Sequence, residues 1–224
     1  MPSGKPRVGL IVPSSNTVME PDLHRHLSGT CTISTSRIYL EDVTRRAEKQ
    51  MLEDELPRSI GLIKTTKPDI VIFGCTSAGS LGGREHDRRI SESIARGTGC
   101  AALTVVESVL AQLQSLSAHR VAIFTPYEED LTRSVASCIS SDGYELAQVA
   151  GMGIRANIDI GKVIPTEIVK FIDSKMDGVK ADCIFLSCTN WQALDAIEST
   201  QTRFGIPVVT SNQATLDAVL RIIG

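Results

Sequence analysis

The sequence contains few histidines and no motif that is typical of a metal or nucleotide site. Its four histidines form no HExxH cluster, and its six cysteines include no CxxC pair with the spacing of zinc ligands. A GxGxxG dinucleotide fingerprint and a P-loop motif are also absent. We therefore expect a protein that works without a metal ion or another cofactor.

Long apolar runs and an excess of one charge are missing as well. The formal net charge is −3, and acidic and basic residues are mixed along the chain, which argues against a nucleic-acid partner. The apolar runs are far shorter than a membrane span, and the first residues are too few and too polar for a signal peptide. We expect a cytoplasmic protein, without a membrane partner, whose cysteines are free thiols.

Short apolar runs alternate with stretches of helical periodicity along the whole chain. The runs lie at residues 7–12, 31–40, 69–74 and 101–104, and again at 119–124, 144–150, 182–186 and 206–209. Continuous apolar strands separated by helices are typical of a parallel sheet that is covered on both faces. The sequence therefore predicts an α/β fold.

Two features of the first half recur in the second half at one spacing. Pro13, which ends the first apolar run, is followed 113 positions later by Pro126, and Cys75 is followed 113 positions later by Cys188. This agreement indicates an internal duplication. We expect two similar Rossmann-like halves with parallel sheets, related by a pseudo-twofold axis. The final helix is expected to return to the first half, which divides the chain into residues 1–104 with 211–224, and residues 105–210.

Both duplicated cysteines follow a buried strand and enter a polar turn. Ligands of parallel sheets bind beyond the carboxyl ends of the strands, so we expect Cys75 and Cys188 to face each other across one cleft. Thr76, Ser77 and Thr189 follow them and are candidates for binding the substrate. Together with Asn190 they are also typical of helix starts, where backbone N–H groups lower the pKa of a thiol. Alternatively, each cysteine is only a small buried apolar residue.

The other strand ends also carry polar side chains that could bind an acid. Ser15 and Asn16 follow the first strand, where they could hold a carboxylate or only cap the next helix. Tyr127 occupies the matching turn of the second half and could donate to a carboxylate, or it could be a half-buried surface residue. Asn157 lies in a glycine-containing loop, and by itself it is an ordinary loop residue.

Taken together, these segments resemble a known group of enzymes. The stretch Gly9 to Thr17, GLIVPSSNT, is similar to the opening of maleate cis–trans isomerases. These belong to the aspartate/glutamate/hydantoin racemase superfamily, which includes arylmalonate decarboxylase. The Cys75 strand, the turn at residues 125–127, the Asn157 loop and the Cys188 strand also match, so the resemblance spans nearly the whole chain.

The resemblance implies a role for each of these residues. Cys75 is expected to be the nucleophile or first acid/base, and Cys188 the second acid/base. Asn16, Tyr127 and Asn157 are expected to hold the carboxylates of a small carboxylic-acid substrate. We also expect a homodimer or a higher homo-oligomer.

The turn after Cys75 leaves the reaction open. Its Cys-Thr-Ser sequence is more similar to racemases and decarboxylases than to maleate isomerases. We expect a cofactor-independent isomerase of a maleate-like dicarboxylate. The alternatives are an amino-acid or hydantoin racemase, an arylmalonate-type decarboxylase, a non-catalytic protein that binds small acids, and a redox switch that joins Cys75 to Cys188.

Overall fold

A computed structural model describes residues 4–224 of the chain. The strands are β1 (Arg7–Pro13), β2 (Thr32–Ile38), β3 (Ile70–Phe73), β4 (Ala101–Thr104), β5 (Arg120–Thr125), β6 (Glu145–Gly151), β7 (Cys183–Leu186) and β8 (Val208–Thr210). The helices are α1 (Met19–Leu27), α2 (Arg45–Gln50), α3 (Leu56–Lys64), α4 (Thr76–Ser80), α5 (Gly83–Thr98), α6 (Val105–Ser115), α7 (Glu129–Ser141), α8 (Asn157–Ile160), α9 (Pro165–Asp173), α10 (Ile197–Phe204) and α11 (Ser211–Ile223). A π-helical turn at Met51–Glu55 joins α2 to α3, and a 3₁₀ turn at Leu194–Ala196 precedes α10.

The strands form two four-stranded parallel sheets with equivalent orders. One sheet has the order β2-β1-β3-β4 and the other has the order β6-β5-β7-β8. Their registers also correspond, because Ile11 pairs with Phe73 in the first sheet and Phe124 pairs with Leu186, each 113 positions later, in the second. The predicted α/β fold with two similar parallel-sheet halves is confirmed.

The central strands are buried because helices cover both of their faces. All four residues of β3 and all four of β7 are buried, as continuous apolar runs in parallel sheets predict. The edge strands β2 and β6 are only partly buried and are more polar. The apolar side chains thus fix the sheets, and the polar turns remain at the carboxyl ends of the strands.

Helices from the two halves of the chain contact each other. Helix α4 packs against α7, and the last helix, α11, packs against both α6 and α1. The side chain of Thr210 starts α11 by accepting a hydrogen bond from the backbone N–H of Gln213 at 3.0 Å. The division of the chain at residues 104 and 211 stays a prediction. Within residues 4–224, none of the helices has the length and apolar character that a membrane crossing requires.

Candidate active site

A small cavity lies where the strand ends of the two halves meet. Its volume of about 10 Å³ is the space that one water molecule needs. Residues from both halves line it, namely Pro13, Asn16, Leu40, Val43, Cys75, Ser77, Tyr127, Asn157, Cys188, Thr189 and Asn190. The structure therefore brings the two duplicated cysteines to one cavity, together with five of the seven other side chains that the sequence suggested.

The remaining two suggested residues, Ser15 and Thr76, do not line the cavity. The Ser15 hydroxyl donates to the Leu40 carbonyl and accepts a hydrogen bond from Asn157 Nδ2 at 2.9 Å. The Thr76 hydroxyl pairs with Ser211 Oγ at 2.9 Å. A direct substrate contact for either of these two side chains therefore stays a prediction.

Cys75 lies two residues after the end of β3 and directly precedes α4. The backbone N–H of Ala78 donates to its sulfur, and Ser77 Oγ lies 3.8 Å from Sγ. Burial raises the pKa of the Cys75 thiol well above its usual range, and the nearby carboxyl of Glu48 raises it further. The expectation of a low pKa is wrong for this buried thiol, because the N–H group and the hydroxyl offset only part of the cost of burying a thiolate.

Cys188 occupies the equivalent place after β7 and has more hydrogen-bond donors. The backbone N–H of Asn190 lies 3.2 Å from Sγ, and the N–H of Trp191 and the Tyr127 hydroxyl also donate to it. Burial nevertheless raises the pKa of the Cys188 thiol to about 12. Burial raises the pKa of Tyr127 well above 10, and the charges of Cys188 and Cys75 add to this effect. The phenol is therefore a protonated donor.

Asn16 bonds to the backbone at the start of α1 and also reaches across to the second half of the chain. Its Oδ1 accepts hydrogen bonds from the N–H groups of Val18 and Met19 at 3.1 and 3.0 Å. Its Nδ2 donates to Thr189 Oγ1 at 2.9 Å, and that hydroxyl donates to the Gly74 carbonyl at 3.0 Å. Asn16 can therefore bond to the start of α1 and line the cavity at the same time.

Asn190 holds the two halves together at the cavity, although the sequence suggested no role for it beyond a helix start. Its Oδ1 accepts from the Thr17 N–H at 2.8 Å, and its Nδ2 donates to the Asn157 carbonyl at 2.6 Å. The Nδ2 group also lies 3.2 Å from Asn157 Oδ1. The only sequence signal for Asn190 is its place two residues after Cys188.

Two loops pair with each other over the cavity. The N–H of Val43 donates to the Arg155 carbonyl at 2.8 Å, and the N–H of Asn157 donates to the Glu41 carbonyl at 2.9 Å. Asp42 and Ala156 form an antiparallel bridge between these hydrogen bonds. Each loop contributes a residue to the cavity lining, Val43 from one and Asn157 from the other.

A carboxyl group that the sequence did not suggest lies beside the cavity. Glu48, on α2, is completely buried, and Ser77 Oγ donates to its Oε1. Burial raises the pKa of Glu48 to about 8. In residues 4–224, His, Cys, Asp and Glu form no group of three or more that is placed to hold a metal ion.

Comparison with known proteins assigns the chain to a family. The family profile of arylmalonate decarboxylase matches residues 8–224. The maleate isomerase of Geobacillus stearothermophilus is 26% identical over 229 residues, which cover 96% of this chain and 90% of the relative. The maleate isomerase of Nocardia farcinica is 28% identical over 225 residues, covering 96% and 89%.

Solved structures share the whole fold. Maleate isomerase from Pseudomonas putida S16 with maleate superposes with a TM-score of 0.90 at 26% identity, covering 97% of this chain and 91% of that chain. A variant of the Nocardia farcinica maleate cis–trans isomerase with a covalently bound succinylcysteine intermediate superposes with a TM-score of 0.89 at 24% identity, covering 97% and 92%. The chain, matched over nearly its full length, belongs to the arylmalonate decarboxylase family.

Proposed function

We propose that this protein is a cofactor-independent cis–trans isomerase of a maleate-like dicarboxylate. The observation that carries the proposal is the meeting of Cys75 and Cys188 at one small cavity that both halves of the chain line. Maleate isomerases of two organisms are among the relatives that align along almost the whole chain. The side chains that line the cavity, among them Asn16, Tyr127 and Asn157, also offer hydrogen-bond donors to a small acid.

In the proposed reaction, the Cys75 thiolate attacks one carbon of the double bond. A carbon–sulfur bond forms, and the electron pair of the double bond moves towards the neighbouring carboxylate as an enediolate. The Cys188 thiol gives its proton to the carbon that carries this charge, which yields a succinyl thioether. Rotation about the new single bond, return of the proton to Cys188 and loss of the Cys75 thiolate then release the trans acid.

The cavity supplies the hydrogen-bond donors that this intermediate requires. We assign the binding of the two carboxylates to Asn16, Ser77, Tyr127, Asn157 and Thr189, whose side chains line the cavity. A preorganised donor aimed at a developing negative charge can contribute about 2.7–4 kcal/mol in a site that excludes water. Tyr127 is well suited, because its raised pKa keeps the hydroxyl protonated.

The test is conversion of maleate to fumarate, followed by proton NMR. Cys75→Ser should lower the turnover number by at least about 100-fold, because a hydroxyl without a neighbouring base is a poor nucleophile. Cys188→Ser should also impair turnover. Cys31→Ser is the matched control, because Cys31 is buried outside the cavity and its Sγ donates to the Leu27 carbonyl, which a serine hydroxyl can also do.

Two results would contradict this proposal. Near wild-type turnover by Cys75→Ser would exclude the thiol mechanism. A disulfide between Cys75 and Cys188 that forms under a mild oxidant and only regulates activity would support a redox switch.

The Ser77 hydroxyl beside Cys75 favours a second candidate function, the decarboxylation of an arylmalonate, in which hydrogen-bond donors stabilise an enediolate. Release of CO₂ from phenylmalonate without maleate turnover would select that reaction. The homo-oligomeric state stays a prediction.

A further inference from the structure

Glu48 is buried in surroundings that do not compensate a carboxylate. None of its surface is exposed, and the Ser77 hydroxyl is the hydrogen-bond donor to Oε1. Its Oε2 has no hydrogen-bond partner among residues 4–224. Burying a carboxylate with so few partners costs free energy, and an apolar or amide side chain would fill the same place at lower cost. The group therefore points to chemistry rather than to packing.

Most of the titratable groups that Glu48 influences line the cavity. Its charge acts on Cys75, Cys188 and Tyr127, and in each case it raises the pKa of that group. Arg45 is the cation that acts on Glu48, but its guanidinium donates to Ser134 Oγ and, at 3.0 Å, to the Leu81 carbonyl. Across the described residues 4–224, Glu48 has no ion pair within 4.0 Å, and its carboxyl acts on the thiols without a buried counterion.

A continuous chain of polar atoms leads from Cys75 to this carboxyl. Ser77 Oγ lies 3.8 Å from Cys75 Sγ and is hydrogen-bonded to Glu48 Oε1. We propose that Glu48 is the base that receives the proton of Cys75, with the Ser77 hydroxyl as the relay between them. The proposal rests on the proposed function in that it assigns the nucleophile to Cys75.

The proton transfer balances without another reactant. The thiol proton moves to Ser77 Oγ as the Ser77 hydroxyl proton moves to Glu48 Oε1, which leaves a thiolate, a neutral hydroxyl and a neutral carboxylic acid. The negative charge moves from Glu48 to Cys75, and the net charge of the buried cluster does not change. The step therefore requires no additional charge to be buried. When the thiolate leaves the product, the reverse transfer restores the ionised carboxyl.

A relay and a purely electrostatic effect predict opposite results for Glu48→Gln. The ionised carboxyl raises the pKa of Cys75, so its removal alone would favour the thiolate and speed the reaction of Cys75 with an alkylating reagent. If Glu48 is instead the proton acceptor, its removal slows that reaction. Glutamine keeps the shape of the side chain and can still accept the hydrogen bond of Ser77.

The experiment measures alkylation of Cys75 by iodoacetamide in the absence of any substrate. Rates are followed by intact mass and peptide mapping across the neutral and alkaline pH range. For the wild type we expect the rate to rise with an inflection near pH 8, where Glu48 ionises. Glu48→Gln should lose that inflection and react about ten-fold more slowly near this pH. Ser77→Ala, which keeps the carboxyl but removes the relay, should show the same loss.

The matched control is Glu53→Gln, which makes the same chemical change at an exposed position of the π-helical turn. It should follow the wild-type profile, and the melting temperature of Glu48→Gln should show that this variant folds. A Glu48→Gln rate equal to or above that of the wild type would overturn the proposal, as would an unchanged profile of Ser77→Ala. Because no substrate is present, failure to isomerise maleate would reject the proposed function and leave this comparison valid.

Discussion

Replacing Glu48 with glutamine should change how the stability of the protein depends on pH. Burial raises the pKa of this carboxyl from the ordinary value of 4.5 to about 8 in the folded protein. The unfolded chain therefore loses the proton at a lower pH than the folded chain does. The stability that protonated Glu48 contributes is fully present below about pH 4.5 and is lost as the pH rises to about 8.

The size of the effect follows from the difference between the two pKa values. Each pKa unit corresponds to about 1.36 kcal/mol, so complete ionisation of Glu48 should cost the folded state on the order of 5 kcal/mol. Glutamine does not titrate. Glu48→Gln should therefore be close to the wild type in stability near pH 4.5, and should become the more stable protein as the pH approaches 8.

The assay is urea unfolding of both proteins at several pH values between these limits. Asp87 is also buried and its pKa is raised to about 7, so the wild type loses further stability with rising pH at this second carboxyl. The difference between the variant and the wild type nevertheless reports on Glu48 alone. Asp87 is unchanged in both proteins, so its contribution cancels. A difference in unfolding free energy that is constant over this pH range would refute the reasoning, since it would mean that Glu48 titrates alike in the folded and unfolded chains.

Two further substitutions test the structure around the cavity. Asn190→Ala should lower the unfolding free energy in urea by about 1–3 kcal/mol, because the Asn157 carbonyl loses its buried hydrogen-bond donor. An unchanged unfolding free energy would contradict a stabilising role of Asn190. Gly151→Ala should cost about 1–3 kcal/mol, since the new Cβ would lie 2.4 Å from the Tyr127 carbonyl oxygen. Gly61→Ala is its control, because its Cβ meets nothing within 4 Å, and this helical site should gain up to about 1 kcal/mol. Equal effects of the two alanines would contradict the clash.

The fold could be predicted from the sequence because two independent signals agree. Apolar runs identify buried parallel strands, and the spacing of 113 positions relates Cys75 to Cys188 as well as Pro13 to Pro126. The same spacing recurs in the register of the two sheets. Strand ends are also where parallel sheets collect polar side chains. For that reason Asn16 and Tyr127 could be placed near the cysteines without knowledge of the packing.

Glu48 could not be predicted, because its local sequence gives the opposite impression. It lies in the helix RRAEKQ, in which five of the six side chains are polar or charged, a composition that is typical of an exposed helix. Tertiary packing, which includes the contact of α2 with α4, buries this one carboxyl. The raised pKa of Cys75 could not be predicted for a related reason. The turn suggested N–H donors, but the depth of burial and the nearby carboxyl are properties of the tertiary structure.

The burial of the site makes charge conservation a central requirement of the proposed chemistry. Burial raises the pKa of Cys75, Cys188, Tyr127 and Glu48 together, so this site disfavours every additional negative charge. A dicarboxylate adds two such charges, which raise the proton affinity of the carboxyl and of the thiol alike. Transfer of a proton from Cys75 to Glu48 only exchanges the position of one charge. In this proposal, a buried carboxyl that destabilises the folded protein takes up the proton of Cys75 and so generates the thiolate without adding charge to the site.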